Sequence, residues 1–223
     1  MPKNKTTYHK PVFERIPSQK RNRIISVAIG EFANNGYNNA NINIIAKKAE
    51  VSVGSLYKYF NTKTDLFLTC VNYGVETIEK VLESVVASDE DIIAKLEKII
   101  RIAVDFSKKQ GVIIKLYNEI TGETDEDLVK TLSHSMEAMT VEAYVSVIEE
   151  GQRTGKIRSD ISPGMAAFFV DTLIMGMQFS YACDYYSERY KLYAGDDIFT
   201  KDNFAIDEFI KFIKSALKAD NAK

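Results

Sequence analysis

The stretch INIIAKKAEVSVGSLYKYF, residues 42–60, decides how the rest of this chain is read. Its first half sets Ile42, Ile45, Ala46 and Ala49 at three-to-four spacing, the mark of a short amphipathic helix with Lys47 and Lys48 on the other side. Asn41 stands ahead of it as an N-cap, because its side-chain oxygen can take up a free amide of the first turn. The pattern breaks around Glu50, Val51 and Ser52. Ser52 then caps a second helix, with Leu56 and Phe60 facing inward and Gly54, Ser55, Tyr57, Lys58 and Tyr59 facing outward. Two short helices across a tight turn make a helix-turn-helix, and the expected fold class is all-α.

The outward face of the second helix suits nucleic acid. A helix N-terminus rich in free amides attracts phosphate, and Gly54 has no side chain to hold the backbone away from a base edge. Tyr57, Lys58 and Tyr59 can bond phosphate oxygens, and Val53 can pack on a thymine methyl. Any one of these would be an ordinary surface residue of a helical hairpin; all of them together are not.

Charge agrees. The whole chain is only −2, but up to Lys63 it carries eleven basic residues against Glu14, Glu31 and Glu50, a net +8, which leaves −10 for the remainder. A basic head on an acidic body is the footprint of a protein that offers one end to phosphates.

Upstream, residues 1–16 lack periodicity and read as a loose basic arm. Pro17 suits the first turn of a helix that carries Ile24, Ile25, Ala28, Ile29, Phe32 and Ala33 on its inner face and stops at Asn34-Asn35-Gly36. Residues 17–64 then make a DNA-binding domain of three helices, and 65–223 a helical body.

At this point the sequence resembles a known family. Ala46-Lys-Lys-Ala49-Glu-Val51-Ser52-Val-Gly54-Ser-Leu56-Tyr57-Lys-Tyr59-Phe60-Asn-Thr-Lys63-Thr-Asp65-Leu66, with Phe32, Gly36 and Tyr37 before it, resembles the DNA-binding signature of the TetR family of bacterial transcription regulators. The resemblance covers residues 20–70 and is longer and more ordered than a bare helix-turn-helix pattern. It implies that Val53 and Gly54 approach bases while Ser52, Ser55, Tyr57, Lys58, Tyr59 and Lys63 hold phosphates; Asn41, at the start of the first helix of the motif, joins this set. Two departures stand out. Ala40 occupies a position where the family usually has a threonine near phosphate, and Glu50 replaces the usual turn glycine, which predicts a strained turn and local repulsion.

Beyond the head every segment reads as helix: 65–86, 89–111, 112–120, 124–154, 162 to at least 186 and at most 193, and 204–217, for a total of about nine helices. Ala166, Phe169, Val170, Leu173, Met177 and Tyr181 give helix 162–193 more apolar surface than one neighbour covers. The expected dimer interface is therefore Phe169, Val170, Leu173, Met177, Tyr181, Phe209, Phe212 and Ile213. The resemblance implies the same, as a four-helix bundle between subunits, and a homodimer would meet half-sites roughly 34 to 36 Å apart on a near-palindromic operator. It also implies a body that binds a small-molecule effector. Candidate pocket residues are Phe106, Tyr117, Met136, Met139, Tyr144, Phe168, Met175 and Phe179, whose apolar bias favours a lipophilic ligand.

Other function classes find little support. Cys70 and Cys183 have no metal-like spacing and read as reduced cytosolic thiols; His134 is a lone histidine and His9 lies in the arm. No phosphate-binding glycine loop, nucleophile elbow or metal cluster is visible, so no catalytic residue, cofactor or metal is expected. The N-terminus lacks the apolar core of a secretory signal, and Asp171 and Gln178 interrupt the most apolar run, so a cytoplasmic protein with no membrane span is expected. Two readings emerge. The first is a homodimeric repressor that a ligand releases from its operator; the alternative is a helical small-molecule-binding or enzymatic protein with a vestigial DNA-binding head.

Overall fold

The computed structural model describes residues 6–219, with the side chains of Ala138, Met139 and Asp202 outside the description. Every regular element among the described residues is helical, apart from one isolated antiparallel bridge between Ile157 and Lys218. They form α1 (Pro11–Glu14), α2 (Ser18–Asn39), α3 (Ile42–Lys48), α4 (Val53–Tyr59), α5 (Lys63–Val86), α6 (Ile92–Lys109), α7 (Gly111–Ile120), α8 (Glu126–Arg153), α9 (Pro163–Ala182), α10 (Asp184–Ala194) and α11 (Asp202–Leu217), with a 3-10 turn at Ile198–Thr200. The all-α class holds, but the count is twelve helical elements, not about nine.

The three extra elements have separate causes. Residues 6–16 are not a loose arm: Pro11 starts α1, and Phe13 is buried, with 2% of its surface exposed. The helix expected over 162–193 breaks at Cys183, whose extended backbone (φ −117°, ψ 128°) ends α9 and begins α10. Neither glycine nor proline marks that break, so it leaves no sequence signal; Asp184 merely suits the first turn that follows. The 3-10 turn is three residues long.

The described residues form two compact units. The first comprises residues 6–77 with Lys115–Met136, the second Ile78–Ile114 with residues 137–219. The head expected at 17–64 thus has additional partners from the middle of the chain, and α5, α7 and α8 each contribute to both units.

In the first unit the inner faces of α2, α3, α4 and the start of α5 meet. Ile24, Ala28 and Phe32 of α2 are buried with Ile45, Leu56, Phe60 and Leu66, and Phe32 meets Phe67 edge-on with centroids 4.9 Å apart. Burial of such side chains gives about 1.5–3 kcal/mol each and holds together helices too short to persist alone. Gly36 adopts φ 70° and kinks α2 where the sequence predicted a stop. The side-chain amides of Asn34 and Asn35 donate to the carbonyls of Gly30 and Glu31, at 2.8 and 3.1 Å.

The second unit is centred on α6, α9 and α11. Leu96, Ile99, Ile100 and Val104 of α6 pack with Ala166, Val170 and Ile174 of α9 and Ile206, Ile210 and Ile213 of α11. A Cβ at Gly151 would collide with Ile157, which explains a glycine inside α8. Lys95 is buried, and its ammonium donates to the Val86 carbonyl at 3.0 Å, closing the C-terminal end of α5. By length and composition alone α9 could cross a membrane, but one inner stripe of it belongs to this core.

Candidate nucleic-acid interface

The helix-turn-helix is built from its caps. Asn41 Oδ1 accepts the Asn43 amide at 2.8 Å to start α3, and the Asn41 amide donates to Glu31 Oε1 at 3.3 Å. Glu31 is itself buried, and its other oxygen meets the Lys48 ammonium at 3.4 Å, so one carboxylate of α2 grips both ends of α3. Ser52 Oγ accepts the Ser55 amide at 3.0 Å to start α4, and the two serine hydroxyls lie 2.8 Å apart. Thr62 and Asp65 form a reciprocal capping box at the start of α5, with the Thr62 amide 3.2 Å from Asp65 Oδ2 and the Asp65 amide 3.0 Å from Thr62 Oγ1.

The turn between α3 and α4 closes as a Schellman motif: the Val51 amide donates to the Ala46 carbonyl at 3.0 Å and the Glu50 amide to the Lys47 carbonyl at 3.2 Å. That geometry puts Glu50 at φ 55°, the left-handed region that a glycine enters freely and a side chain enters at a cost of about 1–2 kcal/mol. The strain expected from the missing glycine is therefore real. The expected repulsion is offset, because Arg23 on α2 meets the Glu50 carboxylate at 2.5 Å.

On the outer face of α4, Gly54, Tyr57 and Lys58 are exposed, Tyr57 to 48%, while Val53 and Ser55 are half-buried at its start. Ser52 is exposed beside them. These residues form one open surface with the free amide end of α4 at its edge. Tyr59 does not belong to it. The sequence reading set Tyr59 outward, but it is 7% exposed and its ring lies 5.6 Å from that of Phe13. The cause is helix periodicity combined with a missed element: Tyr59 is three residues past Leu56, and α1 covers the side of α4 that would otherwise face water.

Lys63 also differs from a free phosphate ligand. Its ammonium donates to the carbonyls of Asn38 and Ala40, at 3.0 and 3.3 Å, and lies 4.9 Å from the centroid of the Tyr37 ring. It thus closes the C-terminal end of α2, and Ala40, the other departure from the family pattern, is buried there.

The expected interface and pocket residues scatter. Val170 and Ile213 face the core of the second unit, because α9 and α11 each present one stripe to α6, and so they are not interface residues. Phe169, Leu173 and Phe212 are exposed, and Met177, Tyr181 and Phe209 are half-buried. Of the pocket candidates, Tyr144 and Phe179 are buried and Phe106 and Met175 half-buried in the second unit, whereas Tyr117 and Met136 belong to the first. Phe168 is 60% exposed, with its ring centroid 6.0 Å from that of Phe169. The side chain of Met139 lies outside the described residues. Burial, and secondarily the charge of Glu137, raises the Asp171 carboxyl to about 6; burial first, then Asp171 and Glu137, push the Tyr144 hydroxyl up. Cys70 and Cys183 are both buried thiols outside any disulfide, and burial pushes the Cys70 thiol up, which makes it a poor nucleophile. Among the described residues no group of three or more His, Cys, Asp or Glu side chains could hold a metal ion.

A capped helix-turn-helix with an open polar outer face is the build of a DNA-binding head. Residues 24–70 match the pattern described as bacterial regulatory proteins, tetR family. Among proteins, an uncharacterised HTH-type transcriptional regulator of Bacillus subtilis, YhgD, is 24% identical over 166 residues, which span 73% of this chain and 84% of that one. Among solved structures, a TetR family transcriptional regulator from Chloroflexus aurantiacus aligns with a TM-score of 0.68 at 20% identity over 94% of this chain and 98% of that one. FadR of Bacillus subtilis in complex with stearoyl-CoA aligns with a TM-score of 0.72 at 17% identity over 87% of this chain and 98% of that one.

Proposed function

We propose that this protein is a homodimeric transcriptional repressor that leaves a near-palindromic operator when a small lipophilic ligand binds its body. The observation that carries the reading is the outer face of α4, open and polar at a capped helix start, on a unit whose sequence up to Lys63 is strongly basic. Asn41, Ser52, Val53, Gly54, Ser55, Tyr57 and Lys58 meet DNA, with Val53 and Gly54 nearest the bases. Such a protein acts in the cytoplasm, where bacterial DNA lies.

The dimer forms through the open apolar face of α9 and α11, with Phe169, Leu173 and Phe212 at its centre and Phe168 added to them. This much exposed aromatic surface on two helices that share one core is unusual for a free subunit. The ligand class to test first is a long-chain acyl thioester, since the related FadR structure holds stearoyl-CoA and the second unit is rich in aliphatic side chains. α5 is one continuous helix with its first residue at Lys63 and its last at Val86, a stiff element that ligand binding can move.

The test uses a labelled duplex of the DNA that flanks this gene. Stearoyl-CoA lowers the affinity for that duplex, and by linkage the duplex weakens stearoyl-CoA binding by the same factor. Binding of the thioester with no change in DNA affinity would refute release by this ligand.

A further inference from the structure

The recognition helix has an unusual neighbour. α4 is seven residues long, and because Phe60 leaves the helix in extended conformation (φ −128°, ψ 139°), the carbonyls of Tyr57, Lys58 and Tyr59 have no helical amide to accept. A single residue far upstream satisfies two of them: the Lys10 ammonium donates to the Tyr57 carbonyl at 2.8 Å, and the Lys10 backbone amide to the Tyr59 carbonyl at 2.7 Å. A cation at this end is also favoured by the helix dipole. Three residues on, Phe13 is buried against the rings of Tyr59 and Phe60, at 5.6 and 4.9 Å between centroids. The other end of the segment is tied to α5, where the Asn72 side-chain amide donates to the Thr6 carbonyl at 3.0 Å. His9 and Arg21 both meet Glu14, each at 3.1 Å, which fastens α1 to α2. Residues 6–16 are therefore a strap across the C-terminal end of α4, and they lie ahead of residues 24–70 that match the family.

We infer that Lys10 and Phe13 are positioning residues for DNA recognition: they hold the C-terminal end of α4, and so the Tyr57 and Lys58 on its last turn, without touching DNA themselves. This rests on the reading of α4 as the DNA-facing helix, and adds that its aim is set by a segment outside the family pattern. A helix of two turns with loose C-terminal carbonyls frays, and fraying spreads the directions of the side chains on its last turn. With the strap in place those residues are held in one orientation before DNA arrives.

The experiment uses the full-length chain with Lys10→Met, Phe13→Ala and the conservative Phe13→Leu. Amide exchange of Lys58, Tyr59 and Phe60 speeds up about tenfold in the first two variants, while α6 amides of the second unit keep their rates. Affinity for duplex from beside this gene falls about five- to tenfold with an unchanged salt slope, and Phe13→Leu restores most of it. If Lys10→Met instead flattens the salt slope by about one unit and leaves exchange alone, Lys10 is a phosphate ligand and the inference is wrong. It is equally wrong if both variants speed exchange evenly across both units, which is loss of stability alone. If the wild-type chain binds no duplex at all, the DNA reading fails, and the exchange rates still decide whether the strap holds α4.

Discussion

α4 and α9 are both helices with two faces, but the second face means different things. α4 turns Leu56 and Tyr59 inward, with Phe60 buried just past its end, and leaves Gly54, Tyr57 and Lys58 to water, so its outer face is at rest in solvent and ready for phosphate. α9 buries Ala166, Val170 and Ile174 and still exposes Met165, Phe168, Phe169 and Leu173. Its outer face is as apolar as its inner one and calls for a second protein surface. A polar outer face reports a partner that is polar; an apolar one reports a partner that shares the hydrophobic effect.

The comparison breaks most severely at α9. Phe168→Glu with Leu173→Glu converts the dimer to monomer in light scattering and, by removing the second head, lowers operator affinity roughly a hundredfold or more; a dimer that survives both charges places the interface elsewhere. At α4, Tyr57→Ala with Lys58→Ala lowers affinity about ten- to a hundredfold and reduces the salt slope by about one, with the melting temperature nearly unchanged. Unchanged affinity would show that this face does not read DNA.

A smaller effect belongs to the interior beside α9. Asp171 titrates at about 6, above the ordinary carboxyl range near 4, so the folded state binds its proton more tightly than the unfolded chain. Its contribution to stability is thus fully present below about pH 4, declines as pH rises from about 4 to about 6, and is lost above that. Asp171→Asn removes this decline and raises the melting temperature at pH 8 but not at pH 4; a gain equal at both values would point to packing instead. The smallest effect is at the turn before α4. Glu50→Gly relieves the left-handed strain at the cost of the Arg23 pair, for a net gain of at most about 1 kcal/mol. The gain grows in high salt, where that exposed pair is screened in the wild type. A loss of stability at every salt concentration would show that the pair outweighs the strain.

Much of the head was legible because its signals are local. Asn41 and Ser52 cap as expected, since a short polar side chain just ahead of an apolar-periodic run has few other roles. The strained turn at Glu50 followed from a residue type in a place that wants glycine. Tyr59 was misplaced because its burial depends on Phe13, and α1 is one turn long, too short for periodicity to reveal; Pro11 ahead of a lone aromatic was the available hint. The carbonyl partners of Lys63, Asn38 and Ala40, were hidden for a similar reason, since they are distant in sequence.

In α9 the sequence offered no such handle. When every face of a helix is apolar, hydrophobic periodicity cannot say which stripe is inside, so Val170 and Phe169 looked alike. Only packing against α6 and α11 separated the buried stripe from the open one, and only the backbone at Cys183 showed that the helix ends there.

The sequence alone determined the helical class, the helix-turn-helix with its caps and the basic head, because each depends on residues a few positions apart. The tertiary structure decided which side of α9 is open, that Tyr59 is core, and that residues 6–16 bind the end of α4. Those outcomes are set by contacts between segments far apart in the chain, whose energies exist only once the helices have met. For residues 42–60 the result is that the face toward DNA is written locally, while the firmness with which it is held comes from Lys10 and Phe13.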